Sequence, residues 1–157
     1  MIAASLVAAL HFIAAFGIAA TLFLEWLTFS RTPTLAEARR IALADRWYGL
    51  FAMLLLVVGF VRAAHFEKGW SFYAHSPFFY LKLTLFVLVG LLSIYPTVRF
   101  IRWAPALKAG HAPEVSDREH TLISRLLGAQ MTLLVLIVIS ASLMAHGVGA
   151  WTGSPEP

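Results

Sequence analysis

The chain has 157 residues, of which 60% are hydrophobic and only 13% charged, with a mean hydropathy of +0.79. A soluble domain is roughly 45–50% apolar, so this composition excludes an ordinary water-solvated globule and points to a protein solvated by lipid. The formal charge of +4 does not indicate nucleic acid, because the basic residues sit at the ends of apolar runs, and the absence of cysteine excludes disulfides, thiolate metal sites and cysteine nucleophiles.

The first apolar run covers residues 2–29 and is closed by Ser30-Arg31-Thr32-Pro33. It exceeds the ~18 residues needed to cross a bilayer. It has no basic n-region and is longer than the ~7–15 residues of a signal-peptide core, so it is expected to be retained. His11 is the one ionisable group between residues 2 and 24. An imidazole inside a span is costly and usually faces the protein interior.

A second, longer helix is predicted over residues 34–64. Thr34-Leu35-Ala36-Glu37 is a capping box with Pro33 just before it. Its first turns carry Glu37, Arg39, Arg40, Asp45 and Arg46, which are expected to lie outside the lipid, with the apolar part over residues 47–61. The loop from His65 to His75 is unusually aromatic. It reads either as an interfacial aromatic belt or as a lid over a site. A third span starts at Ser76-Pro77, a cap followed by an N1 proline, and runs to about residue 103. Pro96 within it is expected to kink the helix. The fourth opens at Ser116-Asp117-Arg118-Glu119, another capping box, and ends near His146-Gly147. The expectation is an all-α integral membrane four-helix bundle, one domain over residues 1–148, with a loose tail over 149–157.

Lysine and arginine set the orientation. The segments joining spans one to two and three to four hold Arg31, Arg39, Arg40, Arg46, Arg99, Arg102, Lys108, Arg118 and Arg125, against Arg62, Lys68 and Lys82 on the other side. Both termini are therefore expected on the periplasmic side of a bacterial inner membrane. At ~1.5 Å per residue, His11 then lies on the order of 12–14 Å deep in the outer half, with Lys82 and Arg62 nearer the surface. His11, Ile18 and Glu25 share a stripe, lined also by Ala4, Ala8 and Ala15, and Lys82, Val89, Ser93 and Pro96 share another. His11 admits an interhelical hydrogen bond, a cofactor or metal ligand, or a proton relay. Arg62 and Lys82 admit snorkelling or, for Lys82, binding of an anion or carboxylate. Glu25 is expected to pair with an arginine at the basic end, and His111 and His120 to be solvated.

Asp45-Arg46-Trp47-Tyr48-Gly49, Phe66-Glu67-Lys68-Gly69, Pro77-Phe78-Phe79-Tyr80-Leu81-Lys82 and Gly90-Leu91-Leu92-Ser93-Ile94-Tyr95-Pro96-Thr97-Val98-Arg99-Phe100 together resemble an uncharacterised family of small bacterial inner-membrane proteins. Its broader group includes HemJ, the membrane protoporphyrinogen oxidase, and CopD-like copper-resistance proteins. HemJ carries a histidine early in its first span, in a setting similar to Leu10-His11-Phe12, and a lysine in a setting similar to Leu81-Lys82-Leu83. HemJ binds haem b. The resemblance implies His11 as an axial haem ligand and Lys82 facing a porphyrin propionate or substrate carboxylate. The additional basic residues around the second span of HemJ have no clear counterpart, which argues against protoporphyrinogen oxidation itself.

A two-haem cytochrome needs about four membrane-embedded histidines, and one deep histidine excludes it. The single haem b that the resemblance implies is compatible with this count, with His11 on one side and Met144, His146 or no ligand on the other, since histidine and methionine are the usual axial donors. Arg62 and Lys82 would neutralise the propionates. The expected activity is electron transfer or an oxidoreductase step, with a quinone or another redox partner. Copper held by His11, His65, His75, Met144 and His146 is the alternative cofactor. A non-catalytic subunit or transporter protomer is the third reading, as a homodimer with Gly59, Gly90 or Gly128 at its interface.

Overall fold

The computed structural model describes residues 2–66 and 77–146. These residues form five helices and one π-helical turn: α1 (Ile2–Thr28), α2 (Leu35–Val61) continued by the turn Arg62–Phe66, α3 (Pro77–Arg102), the short α4 (Ala104–Lys108) and α5 (Asp117–Ala145). Four of these segments, α1, α2, α3 with α4, and α5, are long and apolar enough to cross a membrane. The tail at 149–157 and most of the aromatic loop, including Lys68 and His75, lie outside the described residues.

The helix starts follow local chemistry. At Thr34 the capping box closes in both directions: the Glu37 amide donates to Thr34 Oγ1 (3.2 Å) and the Thr34 amide to Glu37 Oε2 (2.7 Å). Two otherwise orphaned amides are thereby satisfied. Thr34→Ala should lower stability by about 1 kcal/mol, read as a drop in melting temperature in detergent; an unchanged melt would mean water replaces the cap at no cost. At Ser116 only half of the expected box forms. Ser116 Oγ accepts from the Glu119 amide (3.3 Å), but the Glu119 carboxylate turns instead to Arg99. α3 continues through Pro96, whose ring is buried in the bundle. Gly110, at φ +79°, ends α4 in a left-handed conformation that glycine adopts without steric cost.

The bundle is built from two antiparallel pairs, α1 with α2 and α3 with α5, joined through α1–α5 and α2–α3; α1 and α3 stand on a diagonal with no close approach among the described residues. Gly17 gives α1 a flat spot that the Phe51 ring of α2 occupies: a Cβ there would stand 2.5 Å from the ring. Gly59 does the same for α2, and His11 lies across it, Cε1 3.6 Å from the place of a Cβ. Gly128 faces Trp26. Gly59 and Gly128 therefore serve seams within one chain. Gly90 has open space beside it.

The core sits toward the basic end. Ile18, Leu22, Ile41, Phe100, Ile123 and Leu127 are buried there. Phe29 stacks on Trp103 (6.3 Å, 12°) and on His120 (5.5 Å, 17°). His120 is thus half-buried rather than solvated. Toward the terminal end burial thins: the first wholly buried residue of α1 is Ala14. Large side chains such as Phe12, Phe16, Met53, Phe60 and Val138 face outward, as lipid-facing positions require.

Candidate functional site

Two polar layers cross the bundle. The outer one contains the residues expected from the sequence. His11 is half-buried on α1 with its Nδ1 buried beside Gly59. One residue on, Phe12 packs under the Arg62 guanidinium, whose carbon stands 5.7 Å from the ring centroid, a cation–π contact. His11 and Arg62 are thus held on facing helices. Lys82 is half-buried on α3, 5.8 Å from the Phe79 ring centroid.

Register decides what shares their level. Equal steps outward from the Asp45–Thr97 hydrogen bond bring Lys82 level with Phe60, next to Gly59 and so to His11, since every helix rises ~1.5 Å per residue. Equal steps from the Trp26–Gly128 contact bring His11 level with Leu143, beside the half-buried Met144. The structure therefore sets Arg62 over Phe12, next in sequence to His11. It sets Lys82 at the same depth on the diagonal helix, and Met144 on the neighbouring one. His146 is exposed just past α5, with Nδ1 2.8 Å from the Ser142 carbonyl, and His65 is exposed in the π-helical turn. Among the described residues no three His, Cys, Asp or Glu side chains converge on one point. The donor set of the layer is one imidazole, one thioether and two cations, which suits a group with a soft axial position and anionic edges.

The inner layer is only partly legible in the sequence. Glu25 is 2% exposed, and the expected arginine does not reach it: its Oε1 has no hydrogen-bond partner among the described residues. Arg31 pairs with Asp117 and Arg99 with Glu119 instead. Asp45, expected outside the lipid, is buried at 6% exposure. It accepts from Thr97 Oγ1 at 2.6 Å, and equal steps from the His11–Gly59 contact set it level with Glu25 of α1. One turn outward, the Tyr48 hydroxyl donates to Gln130 Oε1 (3.1 Å), and Gln130 Nε2 donates to the Leu126 carbonyl (3.3 Å). Ser93 lies beside the Tyr48 hydroxyl. The layer draws on α1, α2, α3 and α5. Asp45 also lines a groove of about 290 Å³ at the basic end, with Ala42, Arg46, Phe100 and Leu107 among its walls. The i, i+3, i+7, i+10 run Ala38, Ile41, Asp45, Tyr48 places Asp45 on the buried face of α2, and that spacing is the signal that could have found it.

A family model described as "Predicted membrane protein (DUF2214)" matches residues 3–149. The chain belongs to this family. The match takes in both polar layers and all four long helices, and it agrees with a membrane-embedded bundle whose outward side chains contact lipid. No curated protein and no solved structure matches the chain.

Proposed function

We propose that this family member is a multi-pass protein of the bacterial inner membrane that binds haem b in the half of the bundle nearest its termini and acts in electron transfer or an oxidoreductase step. The observation that carries the reading is the outer layer: His11 held against Gly59, Arg62 over Phe12 on the facing helix, and Lys82 and Met144 at the same depth. His11 would hold the iron, and Met144 would be the second ligand. Arg62 and Lys82 would face the propionates, whose charges otherwise carry a heavy desolvation cost in lipid. Bound haem would supply one-electron chemistry, its potential tuned by the side chains that hold the iron. The chain's own part is to fix the imidazole by packing it against α2 and to keep the cations near the surface. Both termini are assigned to the periplasmic side from the excess of Lys and Arg at the opposite end, so the site opens outward. A quinone or another redox partner would exchange electrons there.

The test is an absorption spectrum of protein purified from a haem-competent host, oxidised and reduced. The expected result is a Soret band that His11→Ala removes or shifts and Met144→Leu alters. No band in the wild type, or one indifferent to His11→Ala, defeats the proposal. Elemental analysis giving copper without a porphyrin spectrum would replace haem with copper as the cofactor.

A further inference from the structure

We propose that Glu25 and Asp45 form a proton-binding site inside the bundle, loaded from the groove at the basic end through Asp45. The inference stands apart from haem, because it concerns the other polar layer and different residues.

Equal steps along α1 and α2 from the His11–Gly59 contact bring Glu25 level with Asp45 and onto the same facing sides, and both are buried in a layer from which water is largely shut out. From α1 the layer receives Glu25. From α2 it receives Asp45 and Tyr48, with the exposed Arg46 at the rim of the groove; from α3 Thr97, and from α5 Gln130. The nearby Arg99 is committed to Glu119 by two hydrogen bonds. Two neighbouring carboxylates in such surroundings repel each other, and one proton bound by either removes the repulsion.

The two groups are provided for differently. Thr97 Oγ1 donates to Asp45 Oδ1, which satisfies a charged oxygen. Glu25 Oε1 is buried with no hydrogen-bond partner among the described residues. A buried carboxylate with an orphaned oxygen is expensive in any protein and more so in lipid, and a bound proton removes its charge. Access is also asymmetric. Asp45 lines the groove at the basic end, between α2, the end of α3 and α4, whereas Glu25 does not. A proton from water in the groove would therefore reach Asp45 first and Glu25 second. Uptake forms one O–H bond on a carboxylate oxygen and release breaks it, with no other change in bonding. Ionisable residues inside a span are rare, and proton relays are among their recurring uses.

Infrared spectroscopy of the reconstituted full chain at neutral pH tests this. A protonated carboxylic acid has a C=O stretch separate from the carboxylate bands. The wild type should show one such band, moved by carboxyl-¹³C labelling of glutamate or aspartate, without any mutation. Glu25→Gln should remove or displace it, and so should Asp45→Asn. Ala42→Phe, which narrows the groove, should slow the shift of the band in D2O severalfold. Absence of the band in the wild type, or a band indifferent to both carboxyl substitutions, overturns the site. A D2O shift as fast in Ala42→Phe as in the wild type overturns the route.

Discussion

Arg99→Met is expected to lower the unfolding free energy of the detergent-solubilised protein by about 3 kcal/mol, the low end of the range for removing one partner of a buried pair. Glu119 is 5% exposed. It accepts from Arg99 Nε at 2.7 Å and from a second guanidinium nitrogen, a bidentate arrangement of the stronger kind. The substitution would leave the carboxylate enclosed and uncompensated. The partial exposure of Arg99 lets some water in and keeps the effect below the maximum. The neighbouring pair Arg31–Asp117 is an internal comparison. Its side chains are 63% and 68% exposed, so Arg31→Met should cost no more than ~1 kcal/mol. Reversible denaturation of both variants decides the matter. Equal losses would mean that Glu119 is hydrated after all. Adding Glu119→Leu to Arg99→Met should recover much of the loss, because the stranded charge goes with it.

The second large effect belongs to Gly17. A Cβ at this position would stand 2.5 Å from Cγ and Cδ2 of Phe51, so the whole ring must move rather than a flexible tip. Gly17→Ala should destabilise by about 1–3 kcal/mol through overpacking, outweighing a helix-propensity gain of at most ~1 kcal/mol. Gly49 has nothing within 4 Å of its Cβ position. Gly49→Ala should therefore be neutral or slightly stabilising. Combining Gly17→Ala with Phe51→Leu should cost less than the sum of the two single changes, which a double-mutant cycle reads directly. Additivity would show that the α1–α2 seam does not depend on this fit.

Much of the framework is legible in the sequence because it is local. A run of apolar residues long enough to cross a bilayer needs no knowledge of its neighbours, and the Thr34 box closes within one turn. The His11–Ile18–Glu25 stripe follows from helical periodicity, and Ile18 and Glu25 are indeed buried along it. The half-formed box at Ser116 marks the limit. Ser116 and Glu119 have the right spacing, but Glu119 answers to Arg99 on another helix, and nothing within its own turn announces that.

The same contrast governs the two polar layers. Depth along a helix can be counted in residues, and that count sets Lys82 and Arg62 nearer the surface than His11, whereas the contacts between helices bring Lys82 and Met144 to the level of His11. Which helices are neighbours cannot be counted. Only the bundle sets Arg62 over Phe12, places Lys82 on the diagonal and carries Gly59 under His11. Asp45 shows the same limit. It belongs to a charged stretch expected outside the lipid, and only the packing of α2 against α3 sets it, buried, on Thr97. By itself, then, the sequence determined the four spans, their ends and the faces they bury, because these depend on apolar length, caps and helical period. The tertiary structure alone decided that Arg31 and Arg99 pair with Asp117 and Glu119 and leave Glu25 buried at the level of Asp45. Such a pairing arises from contacts between segments far apart in the chain, and helix packing rather than local sequence sets it.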